Sequence, residues 1–291
     1  MQQGEGEENA VEDKGVPLTK ETITKCLSRL ERTGDGSAYA YVKLDASKSD
    51  LNDIAILSEY THIRYATLSS NKLENLSSLS SMKFLLSLDC NRNSLSDLNL
   101  PSFSYLQLLD LSFNKLIDLS NCNFPMLKTL NLNTNNTKLS TIPVLPNLES
   151  LSIRDNNLEN FEGLGSFPKL RKLYAAKNRL KVVELPELPA LETLHVRENQ
   201  LESLSFLSKI CNLVNLNVRA NQIPALTDLD HLASCKRLEK LSAKENPFAE
   251  EDDFRIVSLL KCDTLTRINK EDVNESERAE ARQMADEQVE E

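Results

Sequence analysis

The sequence predicts an α/β solenoid: a leucine-rich horseshoe of about ten parallel strands on a concave face, short turns or 3-10 segments on the convex face, a helical N-terminal cap and a C-terminal cap. Three observations carry this. The pattern L-x-x-L-x-L-x-x-N-x-L-x-x-L recurs nine times, as in LQLLDLSFNKLIDL from Leu106 and LETLHVRENQLESL from Leu191. Its asparagines, Asn71, Asn93, Asn114, Asn135, Asn156, Asn178, Asn199, Asn221 and Asn246, are separated by 22, 21, 21, 21, 22, 21, 22 and 25 residues. Leucine supplies 51 of the 291 residues and glycine only seven. This signature at a fixed period of about 20–29 residues is that of a leucine-rich repeat horseshoe. One coil cannot bury its own leucines, so the coils are stable only when stacked.

Each element follows from the residues in turn. Residues 1–16 hold five acids and one lysine and read as an acidic disordered tail. Residues 17–268 form the repeat domain with its caps. Thr19 suits a helix N-cap, and Ile23, Cys26, Leu27 and Leu30 recur at helical spacing, so 19–33 is expected as a helical lid, with Gly34 at its left-handed end. A degenerate coil follows, with Val42, Leu44, Leu51 and Ile54 in the apolar slots and Ser47 in the asparagine slot.

The full repeats then run to about residue 248. In each, L-x-L alternates inward and outward as a strand must. The asparagine lies where the chain leaves the strand, where an amide can satisfy turn groups that an apolar side chain could not. A second apolar column, Tyr60, Met82, Phe103, Phe124, Leu145, Phe167, Leu188, Ile210 and Cys235, stands three residues before the first leucine of each repeat. Pro125, Pro146, Pro168 and Pro189 follow it, at the point where a fixed φ sets the approach to the strand. In the Asn135 repeat Leu139 stands two residues late, which reads as an insertion. Residues 249–268, rich in Phe254, Ile256, Val257, Leu259, Leu260, Leu265 and Ile268, read as the C-terminal cap. Residues 269–291 hold nine acids and three bases and are expected as an acidic tail, helical or disordered.

The net charge of −10 is therefore a property of the tails, −4 in front and −6 behind, around a neutral solenoid. An acidic total disfavours nucleic acid, which needs a basic footprint. No apolar run is long enough to span a membrane, and no apolar leader opens the chain. The six cysteines (Cys26, Cys90, Cys122, Cys211, Cys235 and Cys262) are scattered without a C-x-x-C pair, and the three histidines (His62, His195 and His231) show no metal-ligand spacing. The expectation is a reducing, intracellular compartment and a protein that is no enzyme, with no cofactor, no metal and no small-molecule substrate.

Function is then expected on surfaces. The alternation assigns outward residues in the first half that are mostly small or neutral: Tyr65, Thr67, Ser69, Ser87, Asp89, Asn91, Asp110, Ser112, Asn131 and Asn133. From the fifth repeat onward they become Arg154, Lys172, Tyr174, Lys177, His195, Arg197, Arg219, Lys240 and Lys244. Two readings stand for this basic stretch. It is a solvated face, partly neutralised by Asp155, Glu198 and Glu245, or a groove for an acidic partner segment that arginines grip bidentately.

The region between the first cap and the first repeat is more specific. Pro17, Leu18 and Thr19 lead to Thr33, Gly34, Gly36, Ala38 and Ala40, then to Tyr41-Val42-Lys43-Leu44; Asp50, Leu51, Asp53 and Ile54 follow, and then Tyr60, His62, Ile63, Arg64 and Tyr65. This stretch resembles the axonemal radial-spoke family of leucine-rich repeat proteins, and the resemblance continues through the repeats to Glu277–Ala281. What the resemblance implies is a structural subunit in the head of radial spoke 3 of the ciliary or flagellar axoneme. Its partners there would be other spoke and axonemal proteins, and its role spoke assembly and motility. Two further readings rest on repeats of this size: a regulatory subunit of a protein phosphatase, and an RNA-processing scaffold with a nuclear address.

Overall fold

The computed structural model describes residues 14–33, 36–98, 100, 102–182 and 184–290, the side chains of residue 285 and residues 287–290 apart. The x-L-x core of each repeat forms a three-residue strand with a buried centre. In chain order the strands and leading helix are β1 Val16–Pro17, α1 Lys20–Cys26, β2 Leu27–Arg32, β3 Tyr39–Asp45, β4 Leu51–Asp53 and β5 Tyr65–Thr67. Eight repeat strands follow: β6 Ser87–Asp89, β7 Leu108–Asp110, β8 Thr129–Asn131, β9 Ser150–Ser152, β10 Lys172–Tyr174, β11 Thr193–His195, β12 Asn215–Asn217 and β13 Lys240–Ser242. The C-terminal cap adds α2 Phe254–Lys261, β14 Arg267–Ile268, β15 Glu271–Asp272 and α3 Glu275–Glu290.

One sheet of 13 strands runs through the molecule. From β3 to β14 every pairing is parallel, so the nine repeat strands are extended by the degenerate coil and by a coil of the cap. At both ends the sheet closes with an antiparallel strand, β2 on β3 and β15 on β14. An open parallel edge presents a row of unpaired peptide groups; a strand folded back from the same chain covers them.

That closure explains a difference at the front. The helix expected over 19–33 stops at Cys26, and Leu27–Arg32 is a strand. Thr19 does cap α1: its hydroxyl accepts from the Thr22 amide, and the Thr22 hydroxyl accepts from the Thr19 amide. Ile23 is fully buried, but Leu30 is 59 % exposed and belongs to no apolar stripe. Leu, Ser, Arg and Glu form helices readily, yet pairing with β3 satisfies a sheet edge that a longer helix would leave bare, and tertiary context overrides propensity. Gly34 lies outside the described residues. The chain is already tied to the solenoid at residue 16, where the Val16 amide donates to Asp50 O at 2.8 Å.

The asparagine column joins each coil to the one before it. Asn178 is typical. Its Nδ2 donates to Ala175 O in its own coil and to Ile153 O in the preceding coil, both at 3.0 Å. Its Oδ1 accepts from the preceding coil's Leu158 amide at 2.9 Å. Asn199, Asn221 and Asn246 repeat the arrangement. The same ladder corrects the insertion read at Leu139. The Thr137 amide donates to Asn156 Oδ1 at 3.0 Å, the bond that a leucine amide makes in neighbouring coils, and Thr137 is fully buried. Its hydroxyl finds Leu116 O at 3.0 Å, so a threonine fills the leucine slot, and Leu139 begins a 3-10 turn.

The residue before each asparagine is left-handed. Ser70, Arg92, Phe113, Thr134, Asp155, Lys177, Glu198, Ala220 and Glu245 all have φ between 53° and 63°. None is glycine, and each conformation costs on the order of 1 kcal/mol. The turn aims the amide of such a residue along the sheet, where Phe113 N donates to Asn133 O at 2.8 Å and Thr134 N to Arg154 O at 2.8 Å. The inter-coil ladder thus continues past the strand.

The buried apolar column fills the interior behind the strands, with the Phe103 and Phe124 rings stacked at 6.4 Å. On the convex side Gly163 has φ +96°, and a Cβ there would lie 2.7 Å from Ser140 N and 2.8 Å from Leu139 O. Gly163→Ala is therefore expected to lose about 3 kcal/mol in denaturant unfolding, from strain plus overpacking. Gly165→Ala, with nothing within 4 Å of its Cβ, is the matched control and should be neutral or slightly stabilising.

Candidate partner-binding face

The strands set the concave face in cross-strand rows. The first residue of each strand forms one row, the third residue a second, and the residue two beyond it a third. In the second row Asp45 pairs across β3 and β5 with Thr67, Thr67 with Asp89, and Asp89 with Asp110. The first half of the face thus carries three aspartates in one line, where the sequence reading saw mostly small or neutral residues. The signal was present in the alternation and becomes a charge row only when the register aligns the strands. The carboxylates also hold turns: Asp89 Oδ1 accepts from the Asn91 amide at 2.9 Å, and Asp110 Oδ1 from the Ser112 amide at 2.9 Å. Burial pushes the Asp89 carboxyl above its ordinary pKa, Asn91 opposes this, and Asp110 and Asp45 add to it.

The second half is basic and aromatic. Arg154 lies with its guanidinium 5.2 Å from the centre of the Tyr174 ring, and Tyr174 meets His195 edge-on at 5.1 Å. Arg154 Nε is buried without a hydrogen-bond partner among the described residues. His195 is held below the ordinary imidazole value, first by burial and then by the charge of Arg154 and Arg197, against the hydrogen bond to Asn215. Arg154, Tyr174, His195 and Arg197 therefore form one cluster across β9 to β11.

The other predicted residues fall around it. Lys172 and Lys240 stand in the first row, exposed and without an ion pair among the described residues. Lys177 sits in the left-handed turn row, off the strands, 3.6 Å from Glu198. Arg197 also meets Glu198, at 3.1 Å, Arg219 pairs with Glu245, and Lys244 lies 3.7 Å from Glu271. Lys177, Arg197, Arg219 and Lys244 are therefore self-neutralised, whereas Arg154, Lys172 and Lys240 make no ion pair among the described residues. Of the acids expected to neutralise this face, Asp155 makes none of the described ion pairs, and Glu271, unforeseen from the sequence, does.

The described residues contain no cluster of three His, Cys, Asp or Glu arranged for a metal, and no helix long and apolar enough to cross a membrane. Burial pushes the Cys122 thiol up to about 12 and the Cys235 thiol up to about 11, far from a nucleophile's range.

Comparison with known proteins agrees with the architecture. A leucine-rich repeat family model matches residues 176–290. The chain is 39 % identical over 270 residues to leucine-rich repeat-containing protein 23 of Bos taurus, covering 91 % of this chain and 79 % of the relative. The Xenopus tropicalis protein of the same name is 36 % identical over 323 aligned residues, covering 91 % and 77 %. Among solved structures, the leucine-rich repeat domain of APL1 superposes with a TM-score of 0.57 at 24 % identity, over 71 % of this chain and 55 % of that one, which speaks to the fold alone. By that extent of identity the chain belongs to the family of leucine-rich repeat-containing protein 23, and its repeats are those of a protein–protein interaction scaffold.

Proposed function

We propose that the protein is a non-catalytic structural subunit of the ciliary axoneme, in the head of radial spoke 3, and that it holds an acidic segment of a spoke partner against the second half of its concave face. The observation that supports the groove most directly is the central cluster. Arg154 presents a guanidinium without a carboxylate partner among the described residues, beside His195, while the neighbouring cations Lys177, Arg197 and Arg219 are already paired. A carboxylate seated there would gain a charge-assisted bond and would favour protonation of His195. The axonemal address rests on family membership and on the segment between the first cap and the first repeat.

One experiment tests both parts. A tagged wild-type copy is expressed in ciliated cells beside the double variant Arg154→Gln/Arg197→Glu, with thermal unfolding of both purified proteins as the folding control. Wild-type protein on the axoneme and variant protein lost from it, at equal stability, is the expected result. A diffuse cytosolic or nuclear wild-type signal overturns the axonemal address. Equal axonemal occupancy of the two proteins overturns the groove.

A further inference from the structure

The edge at which the chain enters the strands is finished differently in the two halves of the solenoid. In the middle coils polar bonds run from coil to coil along it. Asn147 Nδ2 donates to Pro125 O at 2.9 Å, Lys169 Nζ to Asn147 Oδ1 at 2.8 Å, and Arg171 to both carboxylate oxygens of Glu192 at 2.9 Å. In the second to fourth repeats the positions equivalent to Asn147 and Lys169 are Phe84, Tyr105 and Met126, which are 44 %, 52 % and 44 % exposed. The Phe84 and Tyr105 rings stack at 6.4 Å with an interplanar angle of 20°. Leu108, at the start of β7 beside them, is also exposed. Isolated surface apolar residues are ordinary; three in register on successive coils make a patch. Lys83 and Lys128, in the first and last of these coils, are exposed, and neither makes an ion pair among the described residues.

We propose that this edge is a second docking surface, distinct from the concave groove, and that it takes an amphipathic helix of a partner protein whose apolar stripe is flanked by acidic residues. Coils stack at about 4.8 Å, and an α-helix advances about 5.4 Å per turn. A helix laid along the solenoid axis therefore presents one apolar residue per turn to each of Phe84, Tyr105 and Met126, in the i, i+4, i+7 manner of helix-in-groove recognition. The two unpaired lysines select acidic flanks and repel basic ones. The chain's own acidic helix α3 is committed elsewhere: Ala281 is buried, Glu277 pairs with Arg255 at 2.7 Å, and Arg278 donates to Leu265 O at 2.6 Å. A partner's helix fits the edge better than a second copy of this chain does.

The test uses the full chain and two fluorescent synthetic peptides of about 20 residues. Both carry leucines at i, i+4 and i+7; one has glutamates and the other lysines at the flanking positions. Fluorescence anisotropy should show the glutamate peptide binding. The triple variant Phe84→Ser/Tyr105→Ser/Met126→Ser should weaken that binding at least about tenfold. Lys83→Glu/Lys128→Glu should weaken the glutamate peptide and favour the lysine one. A control peptide with the same glutamates but serines in place of the leucines should bind the wild-type chain and the triple variant alike, which separates this apolar surface from the charged groove. Phe84, Tyr105, Met126, Lys83 and Lys128 are exposed and Arg154 and Arg197 half-buried, and circular dichroism checks the fold of every variant. Failure of the wild-type chain to bind, equal affinity for the two leucine peptides, or loss of binding only in the concave variant Arg154→Gln/Arg197→Glu overturns the proposal. So does concentration-dependent self-association of the wild-type chain in sedimentation that the triple variant abolishes, because the occupant is then a second copy.

Discussion

Replacing Asn178 with leucine should remove about 4 kcal/mol or more of stability, because it orphans three backbone groups of the preceding coil at once, the Ile153 carbonyl and the Asn156 and Leu158 amides. The side chain accepts from the amides of Asn156 at 3.0 Å and Leu158 at 2.9 Å, and donates to Ile153 O, Ala175 O and Ala176 O at 3.0, 3.0 and 3.2 Å. Each buried backbone group left without a partner costs about 1–3 kcal/mol, and leucine admits no water to replace the amide. Asn178→Ala should lose less, since a water can enter the space it leaves.

Asn178→Asp gives the sharper test. It keeps the acceptor but turns a carboxylate toward three carbonyl oxygens, which raises its pKa in the folded state above the unfolded value. Stability relative to wild type should therefore be lowest at neutral pH and partly recovered as pH falls through that raised pKa, where a proton restores one donor. Urea unfolding of the three variants at pH 7 and at acid pH reads this directly. An Asn178→Leu loss below about 1 kcal/mol would show that the ladder contributes little beyond shape.

The apolar architecture was legible in the residues because a solenoid writes its contacts at a fixed period: Leu173 meets Leu151 and Leu194 in register, as the repeat spacing requires. What was not legible depended on neighbours outside the repeat. Leu27–Arg32 has the composition of a helix and is a strand because β3 offers an edge. Thr137 passes for a break in the leucine column because its hydroxyl, which makes the slot acceptable, bonds Leu116 O in another coil. The left-handed row carries Phe113, Thr134 and Lys177, so no glycine or asparagine marks it. Of the candidate groove, the outward row was readable from alternation. The difference between paired Arg219 and carboxylate-free Arg154 was not, because it depends on how far Glu245 reaches around the turn.

Phe248→Ala should produce a loss of similar size with a different shape. Phe248 is fully buried, and its ring meets Phe254 of α2 edge-on at 5.3 Å. Truncating a buried phenylalanine costs about 3–5 kcal/mol. In a stacked array, however, each coil is held only by its neighbours, so a defect at the end is not shared by the whole. The seam lies where the Phe248 amide donates to Ile223 O at 3.2 Å and Arg255 ties α2 to α3 through Glu277. Beyond it, α2, β14, β15 and α3 should open as one unit. Hydrogen exchange should then show residues 254–290 losing protection while the strands β5 to β11 keep theirs. Phe103→Ala, in the middle of the stack beside Phe124, should instead lower protection on both sides of the defect, because there each half loses a neighbour. If Phe248→Ala deprotected the entire chain, the solenoid would be a single cooperative unit and the nearest-neighbour account of its stability would fail.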